Sequence, residues 1–325
     1  MRSQCSLYVD AGYLLASVAT RLTGTSLRSG VRVDYEKLIA CLTKQAEEIA
    51  GVPLLRVNWY DAAKNALPDA DQQRIGALPR VKVRLGRVGF NGEQKGVDLR
   101  IGLDMVAQSR NGAVDVIFLV SGDDDLTEAV EEAQVHGVQV IVLAIPDKDG
   151  RPHGVSEHLQ RASDGIELVD ASGLDKSVTR TAAVMVPHAS PVIAKPGPPI
   201  PTTLPTTGPR PGPVSTLAAP PPESSLAYRS ETGGRSTTAP SYAYPDKKTR
   251  EGIDSVVAGV VESFMASASA DELSDVLKAK PSIPREIDRA LLLDLAHLLD
   301  DYDLSDRIRF ELRDHFWDVF EKSSA

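Results

Sequence analysis

The chain has 325 residues, a formal net charge of −9 and only two cysteines, Cys5 and Cys41. The acidic total disfavours a protein that coats nucleic acid by bulk attraction, which needs many Lys and Arg contacts to phosphates. Two cysteines without a short Cys/His spacing indicate neither a disulfide framework nor a zinc module.

No apolar run is long enough to cross a bilayer. Asp10 interrupts the apolar stretch near the N-terminus, which disfavours a signal peptide. We therefore expect a soluble, cytoplasmic protein without a membrane partner.

The first segment, residues 1–175, alternates short β-branched runs with helical patterns, which is typical of βαβ units. The predicted strands cover 6–9, 54–60, 81–88, 116–120, 138–144 and 166–169. The predicted helices cover 13–20, 34–50, 70–75, 97–109, 126–136 and 155–162. Residues 116–120 and 138–143 are apolar almost throughout, as expected for strands covered on both faces. The segment is therefore predicted to be a doubly wound α/β domain with a mainly parallel sheet.

The second segment, residues 176–250, loses this periodicity and becomes rich in Pro, Ser, Thr and Gly. The stretch from Pro187 to Pro245 holds 15 of the 22 prolines of the chain. Such a composition buries too little apolar surface to offset the entropy cost of ordering, so we predict a disordered linker. A Pro-rich docking ligand around residues 196–199 is the alternative.

The third segment, residues 251–325, regains a helical period and carries 17 acidic and 8 basic residues. One apolar stripe recurs at helical spacing in Ile253, Val256, Val257, Val260, Val261 and Phe264. Ser269 and Glu272 resemble a capping box, Pro284 suits a third helix start, and Ser305 suits the cap of a fourth helix. These signals predict a small acidic all-α module.

We expect this module to bind a protein partner or to self-associate, because its acidic balance disfavours contact with nucleic acid. Its aromatic residues are predicted to fill the core of the module rather than to form a binding stripe. They are Phe310, Phe316, Trp317 and Phe320.

Acidic residues follow two of the predicted strands of the first segment. Asp10 ends the first strand, and Asp123, Asp124 and Asp125 come just after residues 116–120. Ligands of parallel α/β sheets collect outside the carboxyl ends of strands, so these positions suit functional carboxylates. Helix capping is the alternative for each of them. Asp123 and Asp125 share a side of an extended turn, whereas Asp124 is expected to point elsewhere.

Asp98 opens the predicted helix 97–109, and Asp104 lies further along it on a face that is expected to be solvated. Asp10, Asp98, Asp123 and Asp125 together offer hard oxygen ligands and no soft ones. This set suits Mg²⁺ or Mn²⁺ and disfavours zinc or copper. Such ions serve phosphodiester cleavage by acidifying a bound water.

The first segment resembles a NYN domain, a branch of the PIN-like ribonucleases, in bacterial proteins with a C-terminal extension. The resemblance rests on Tyr8–Val9–Asp10, Lys95–Gly96–Val97–Asp98, residues 121–126 and His136–Gly137–Val138, in that order. It covers residues 5–172 and leaves the other segments without a match.

The resemblance implies a doubly wound parallel sheet and metal-dependent endoribonuclease activity. It implies Asp10, Asp98, Asp123 and Asp125 as catalytic, metal-binding residues. Many relatives have Asn three residues after the first Asp, where this chain has Tyr13. A catalytically silent scaffold that binds RNA or a protein is therefore the alternative function.

An RNA substrate needs a cationic approach to these carboxylates. Strict alternation over residues 80–85 places Lys82 and Arg84 on the strand face opposite Val81 and Val83, and Lys95 lies nearby in sequence. Lys82, Arg84 and Lys95 are therefore candidate RNA-binding residues. A solvated edge strand protected by charge is the alternative.

Overall fold

A computed structural model describes residues 3–63, 67–88, 94–181, 246–301 and 304–324 of the chain. The strands are β1 (Cys5–Asp10), β2 (Val31–Val33), β3 (Leu54–Ala63), β4 (Val81–Val88), β5 (Gln94–Lys95), β6 (Val116–Val120), β7 (Gln139–Ala144), β8 (Gly165–Leu168) and β9 (Val178–Arg180). The helices are α1 (Ala11–Thr23), α2 (Tyr35–Ala50), α3 (Ala70–Gly76), α4 (Val97–Arg110), α5 (Thr127–Val135), α6 (Glu157–Ala162), α7 (Ala171–Ser177), α8 (Lys247–Ser267), α9 (Ala270–Ala279), α10 (Arg285–Leu299) and α11 (Asp306–Ser324).

The main sheet has seven strands in the order β5-β4-β3-β1-β6-β7-β8. All neighbours in it are parallel except β5, which pairs antiparallel with β4 at one edge. From β1 the chain builds outward first through β3 and β4, and later through β6, β7 and β8. The winding direction therefore reverses between β1 and β6, where the carboxyl ends of adjacent strands leave a crevice.

Amphipathic helices cover both faces of the sheet. One core joins α1, α2 and α7 to the sheet, with Leu14, Leu42 and Leu174 buried in it. The other core joins α4, α5 and α6 to the opposite face, with Met105 and Val130 buried in it. Every residue of β1 is buried. The predicted α/β class with a mainly parallel sheet is confirmed.

Short elements that carry little periodicity escape prediction. They are β5, α7 and the antiparallel pair of β2 with β9. Val178 in β9 is buried in the first core, so secondary structure extends past residue 175, where the linker was predicted to begin. At the far end, α8 begins at Lys247, before the predicted boundary at 250.

The predicted disordered linker and its Pro-rich docking ligand fall on residues 182–245, which lie outside the described residues. The three segment boundaries stay a prediction. Among the described residues, no helix has both the length and the apolar character to cross a membrane.

The C-terminal residues form the four predicted helices, α8 to α11, around a core of their own. The predicted capping box of Ser269 and Glu272 is present at the start of α9. Phe316, Trp317 and Phe320 are buried in this core as predicted, whereas Phe310 is 65% exposed, so the prediction for Phe310 is wrong. Phe310 lies on the solvent face of α11, because it is two residues, about half a turn, before the buried Leu312.

The C-terminal helices lie against the N-terminal domain. Leu27, from the loop after α1, is fully buried within the core of the C-terminal helices. Beside it, the Ser26 backbone N–H donates to both carboxylate oxygens of Asp294 at 3.1 Å, and the Ser29 N–H donates to Glu286 at 2.7 Å. Residues Met1–Val184 and Pro245–Ala325 accordingly form one compact unit, an arrangement that no sequence pattern indicates.

Removing the Leu27 side chain tests this contact. Leu27→Ala should lower the free energy of unfolding by about 2–5 kcal/mol, because it leaves a cavity inside the C-terminal core. Urea denaturation of the full chain measures this loss. Leu103→Ala is the matched control, since Leu103 is 62% exposed, and it should change stability by less than about 0.5 kcal/mol. Equal effects of the two substitutions would contradict the contact.

Candidate functional site

Asp10 lies where β1 passes into α1 at the crevice. It is 9% exposed, and its Oδ1 accepts a hydrogen bond of 2.7 Å from the Gly12 N–H as the N-cap of α1. Its Oδ2 lies 3.5 Å from the hydroxyl of Ser121, at the end of the neighbouring strand β6. The capping role and a functional role are therefore compatible, because they use different oxygens of the same carboxylate.

A tight turn follows β6 and sets the position of Asp123. A Cβ atom on Gly122 would lie 1.7 Å from the carbonyl oxygen of Gly154, so only glycine fits here. The Asp123 N–H then donates to the Ser121 hydroxyl at 3.3 Å, and the Asp125 N–H donates to Asp123 Oδ1 at 3.2 Å. These contacts hold Asp123 on the same side of the sheet edge as Asp10.

Asp10 and Asp123 line one cleft of about 500 Å³. Asp124 lines it too, but its Oδ1 accepts a hydrogen bond of 2.9 Å from the Ser156 hydroxyl. Asp98, in the first turn of α4, and the exposed Asp125 lie near this cleft but outside its lining. Within the described ranges, no three His, Cys, Asp or Glu side chains are already grouped as a set that could hold a metal ion.

The predicted site carboxylates nevertheless interact electrostatically. Burial, followed by the charge of Asp98, raises the pKa of Asp10 to about 6. Burial raises the pKa of Asp98 and of Asp123, and the neighbouring Asp125 adds to both shifts. Asp98 also raises the pKa of Asp123. Each acid therefore makes the ionised form of the next less favourable, which is the electrostatic condition that a bound cation relieves.

Two arginines lie beside these acids. Arg28 donates from its guanidinium to the Gly12 carbonyl oxygen at 3.0 Å. Arg289, from α10, lines the cleft, and its charge lowers the pKa of Asp98. A Cβ atom added to Gly12 would lie 3.3 Å from a guanidinium nitrogen of Arg289 and 3.4 Å from one of Arg28. The two guanidinium groups therefore lie close together above Gly12.

Tyr13, three residues after Asp10, has a structural role. Its hydroxyl donates to the His153 carbonyl oxygen at 2.7 Å and accepts from the Ile145 N–H at 3.2 Å. It thereby fixes the loop between β7 and α6 over the cleft. Because both hydrogen bonds go to backbone groups, the hydroxyl is already committed and does not replace the amide of an asparagine.

The three candidate RNA-binding residues differ in their surroundings. Lys82 is exposed on β4. Arg84 forms a salt bridge of 3.1 Å with Asp104, whose other contacts include the Tyr60 hydroxyl at 3.0 Å. Asp104 is therefore part of a structural network and not a solvated charge on the helix surface. The side chain of Lys95 lies outside the described residues.

Several groups near the crevice are missing from the candidate residues predicted from the sequence. Asp61 follows the buried residues Val57 to Tyr60 of β3, where burial raises its pKa and Gln72 donates a hydrogen bond of 2.8 Å to it. Its place after an apolar strand resembles that of Asp10 and is a signal that sequence inspection can use. The rings of His153 and His297 lie 5.1 Å apart at the cleft. His297 and Arg289 come from α10, so only the folded chain brings them here.

Comparisons with known proteins place the first segment in a family. The model of the NYN domain family matches residues 5–170. A stretch of 76 residues is 41% identical to the uncharacterized protein y4oD of Sinorhizobium fredii, and it covers 23% of this chain and 36% of that protein. A crystal structure of a Vibrio parahaemolyticus protein of unknown function matches 52% of this chain and 94% of its own, with 21% identity and a TM-score of 0.37. The chain thus spans about a third of its curated relative.

The raised pKa of Asp10 predicts a stability that depends on pH. Between an unfolded value of about 3.9 and the folded value of about 6, the folded chain binds more protons than the unfolded chain. The contribution of Asp10 to stability is therefore most favourable below this window and is lost as pH rises through it. Asp10→Asn retains the Oδ1 cap and removes the charge, so in EDTA it should stabilise the protein at pH 7 by about 1–3 kcal/mol and much less at pH 4.

Denaturant titration at both pH values measures this difference. Asp34→Asn is the matched control, because Asp34 also caps a helix, but its exposed carboxyl has a pKa lowered by its hydrogen bonds with Lys37. This control should not stabilise the protein at pH 7. An Asp10→Asn variant that is less stable than the wild type at pH 7 would contradict the electrostatic description.

Proposed function

The chain belongs to the NYN domain family, a branch of the PIN-like superfamily, and we propose that it is a metal-dependent ribonuclease. The observation that carries the proposal is the cleft lined by Asp10 and Asp123, whose carboxyl groups have raised pKa values. In this proposal the reaction is hydrolysis of an RNA phosphodiester bond, and the cleft is the place of cleavage.

The proposed ligands of Mg²⁺ or Mn²⁺ are Asp10, Asp98, Asp123 and Asp125. The donor set fits such an ion, because it is made of carboxylate oxygens and its members raise one another's pKa values. When bound, the ion supplies a water of lowered pKa and positive charge for the reacting phosphate. The described residues hold no preformed group of three, so the proposal requires Asp98 and Asp125 to approach Asp10 and Asp123 when the ion binds.

The residues of the chain prepare this site by positioning and by charge. The Gly12 N–H holds one oxygen of Asp10, which leaves the oxygen beside Ser121 for a ligand. The Tyr13 hydroxyl anchors the loop between β7 and α6, whose residues His153 and Gly154 line the cleft. Arg289 stands at the same cleft, where a guanidinium compensates the negative charge of a phosphate.

Substitution of the aspartates tests the proposal. With Mn²⁺ and a fluorescent single-stranded RNA, we expect Asp98→Asn and Asp123→Asn each to reduce the cleavage rate by about 100-fold or more, because each removes a charged ligand. Asp124→Asn is the matched control within the same acidic run, since Asp124 is bonded to Ser156, and it should retain activity within a few-fold. Full activity in both ligand variants would rule the proposal out.

A catalytically silent RNA-binding scaffold is the second candidate. It is favoured by Tyr13, which stands where many relatives have Asn, and by the proximity of Arg289, which partly neutralises the acids without a metal. RNA binding by the wild type without any Mg²⁺- or Mn²⁺-dependent cleavage, and with no effect of Asp10→Asn on affinity, would decide in favour of this candidate. Metal-dependent turnover that is lost in Asp123→Asn would eliminate it.

A further inference from the structure

A second pocket, of about 960 Å³, opens next to the acidic cleft and carries the opposite charge. It lies between the loop and strand that follow α1, the helix α3 and the helix α10. Among its lining residues are five arginines, namely Arg28, Arg32, Arg74, Arg285 and Arg289. We call it the arginine pocket.

The acidic residues of the arginine pocket are already engaged. Asp69 caps α3 and accepts a hydrogen bond of 2.8 Å from the Gln72 N–H. Glu286 accepts from the Ser29 N–H at 2.7 Å. Asp71 forms a salt bridge with Arg74. The lining still holds five arginines against these three carboxylates, so positive charge is in excess.

Among the described residues, Arg28, Arg32, Arg285 and Arg289 form no salt bridge. Crowding by protein atoms, followed by the charge of Arg28, lowers the pKa of Arg289 to about 10 against the opposing charges of Asp10 and Asp61, although much of its side chain stays exposed. Arg289 is therefore charged at neutral pH. The local excess of guanidinium groups favours the binding of an anion.

Arg289 connects the arginine pocket with the acidic cleft, because it lines both. Arg28 meets it above Gly12, next to Asp10. An extended polyanion that binds along these arginines would therefore reach the acidic cleft with its next part. Tyr35, whose ring packs against Trp59, also lines the arginine pocket. A cationic groove with an aromatic side chain suits a single nucleic acid strand.

We propose that the arginine pocket binds the backbone phosphates of the RNA strand whose neighbouring phosphodiester enters the acidic cleft. This inference rests on the proposed function and deepens it, because it assigns part of the substrate site to α10. Arg285 and Arg289 are four residues apart and so share one face of that helix. The C-terminal helices, acidic as a whole, therefore contribute a local cationic face to RNA binding.

The test measures RNA binding by the full chain in EDTA, so that the readout does not depend on cleavage. The probe is a labelled single-stranded RNA, followed by fluorescence anisotropy at several salt concentrations. The double variant Arg285→Gln/Arg289→Gln should bind about tenfold more weakly and reduce the slope of log affinity against log salt by about 1–2, since two phosphate contacts are lost. Thermal unfolding checks that both proteins are folded.

Arg250→Gln is the matched control, because Arg250 is an exposed arginine near the start of α8 and does not line the arginine pocket. It should bind RNA as the wild type does. Unchanged affinity and salt slope in the double variant would overturn the proposal. A second result would also overturn it: millimolar inorganic phosphate or adenosine monophosphate displaces the RNA, and RNA length does not change the affinity. The pocket would then be a site for a free phosphate compound.

The outcomes for binding and for cleavage are separable. A protein that cuts no RNA, yet loses RNA affinity in the double variant, retains the arginine pocket as a phosphate site while the nuclease proposal fails. A protein that cuts RNA with Mn²⁺, yet binds it equally well in the double variant, retains the nuclease proposal while the arginine pocket loses its role.

Discussion

Parallel pairing of β1 with β6 is the constraint on which the site depends. It brings the carboxyl ends of two strands together at the reversal of winding, so Asp10 and the Ser121–Asp125 turn face one crevice. Burial there raises the pKa values of Asp10 and Asp123, and the charges of Asp98 and Asp125 add to the shifts. The fold thus holds acidic groups where their ionisation is unfavourable, which lowers the stability of the folded chain. A nearby positive charge relieves this cost.

The positive charge at this crevice comes in part from the C-terminal helix α10. The buried Leu27 and the backbone N–H groups of Ser26 and Ser29 hold α10 against the N-terminal domain. That contact aligns α10 so that Arg289 stands beside Asp10 and also lines the arginine pocket. One helix therefore closes a hydrophobic interface and supplies cations to the candidate site. The acidic cleft and the arginine pocket are two halves of a surface that neither chain segment forms alone.

The sequence predicts the sheet better than it predicts the surroundings of the site. The strands β1, β6 and β7 are apolar runs bounded by turn residues, and the acids that follow β1 and β6 are visible as such. The docking of α10 is hidden, because Leu27 is a single apolar residue in a loop without periodicity, and Arg285 and Arg289 look like an ordinary solvated helix face. Composition also misleads here, since the acidic average of residues 251–325 conceals a local pair of arginines.

Location of a bound ion tests the central claim most directly. Crystals of the full chain soaked in Mn²⁺ and measured at the manganese absorption edge give an anomalous difference map that identifies the ion. The account predicts a peak in the cleft within about 2.0–2.4 Å of carboxylate oxygens from Asp10 and at least one of Asp98, Asp123 and Asp125. A map without a peak there, in which only Arg28 and Arg289 contact the aspartates, would contradict a metal-dependent site.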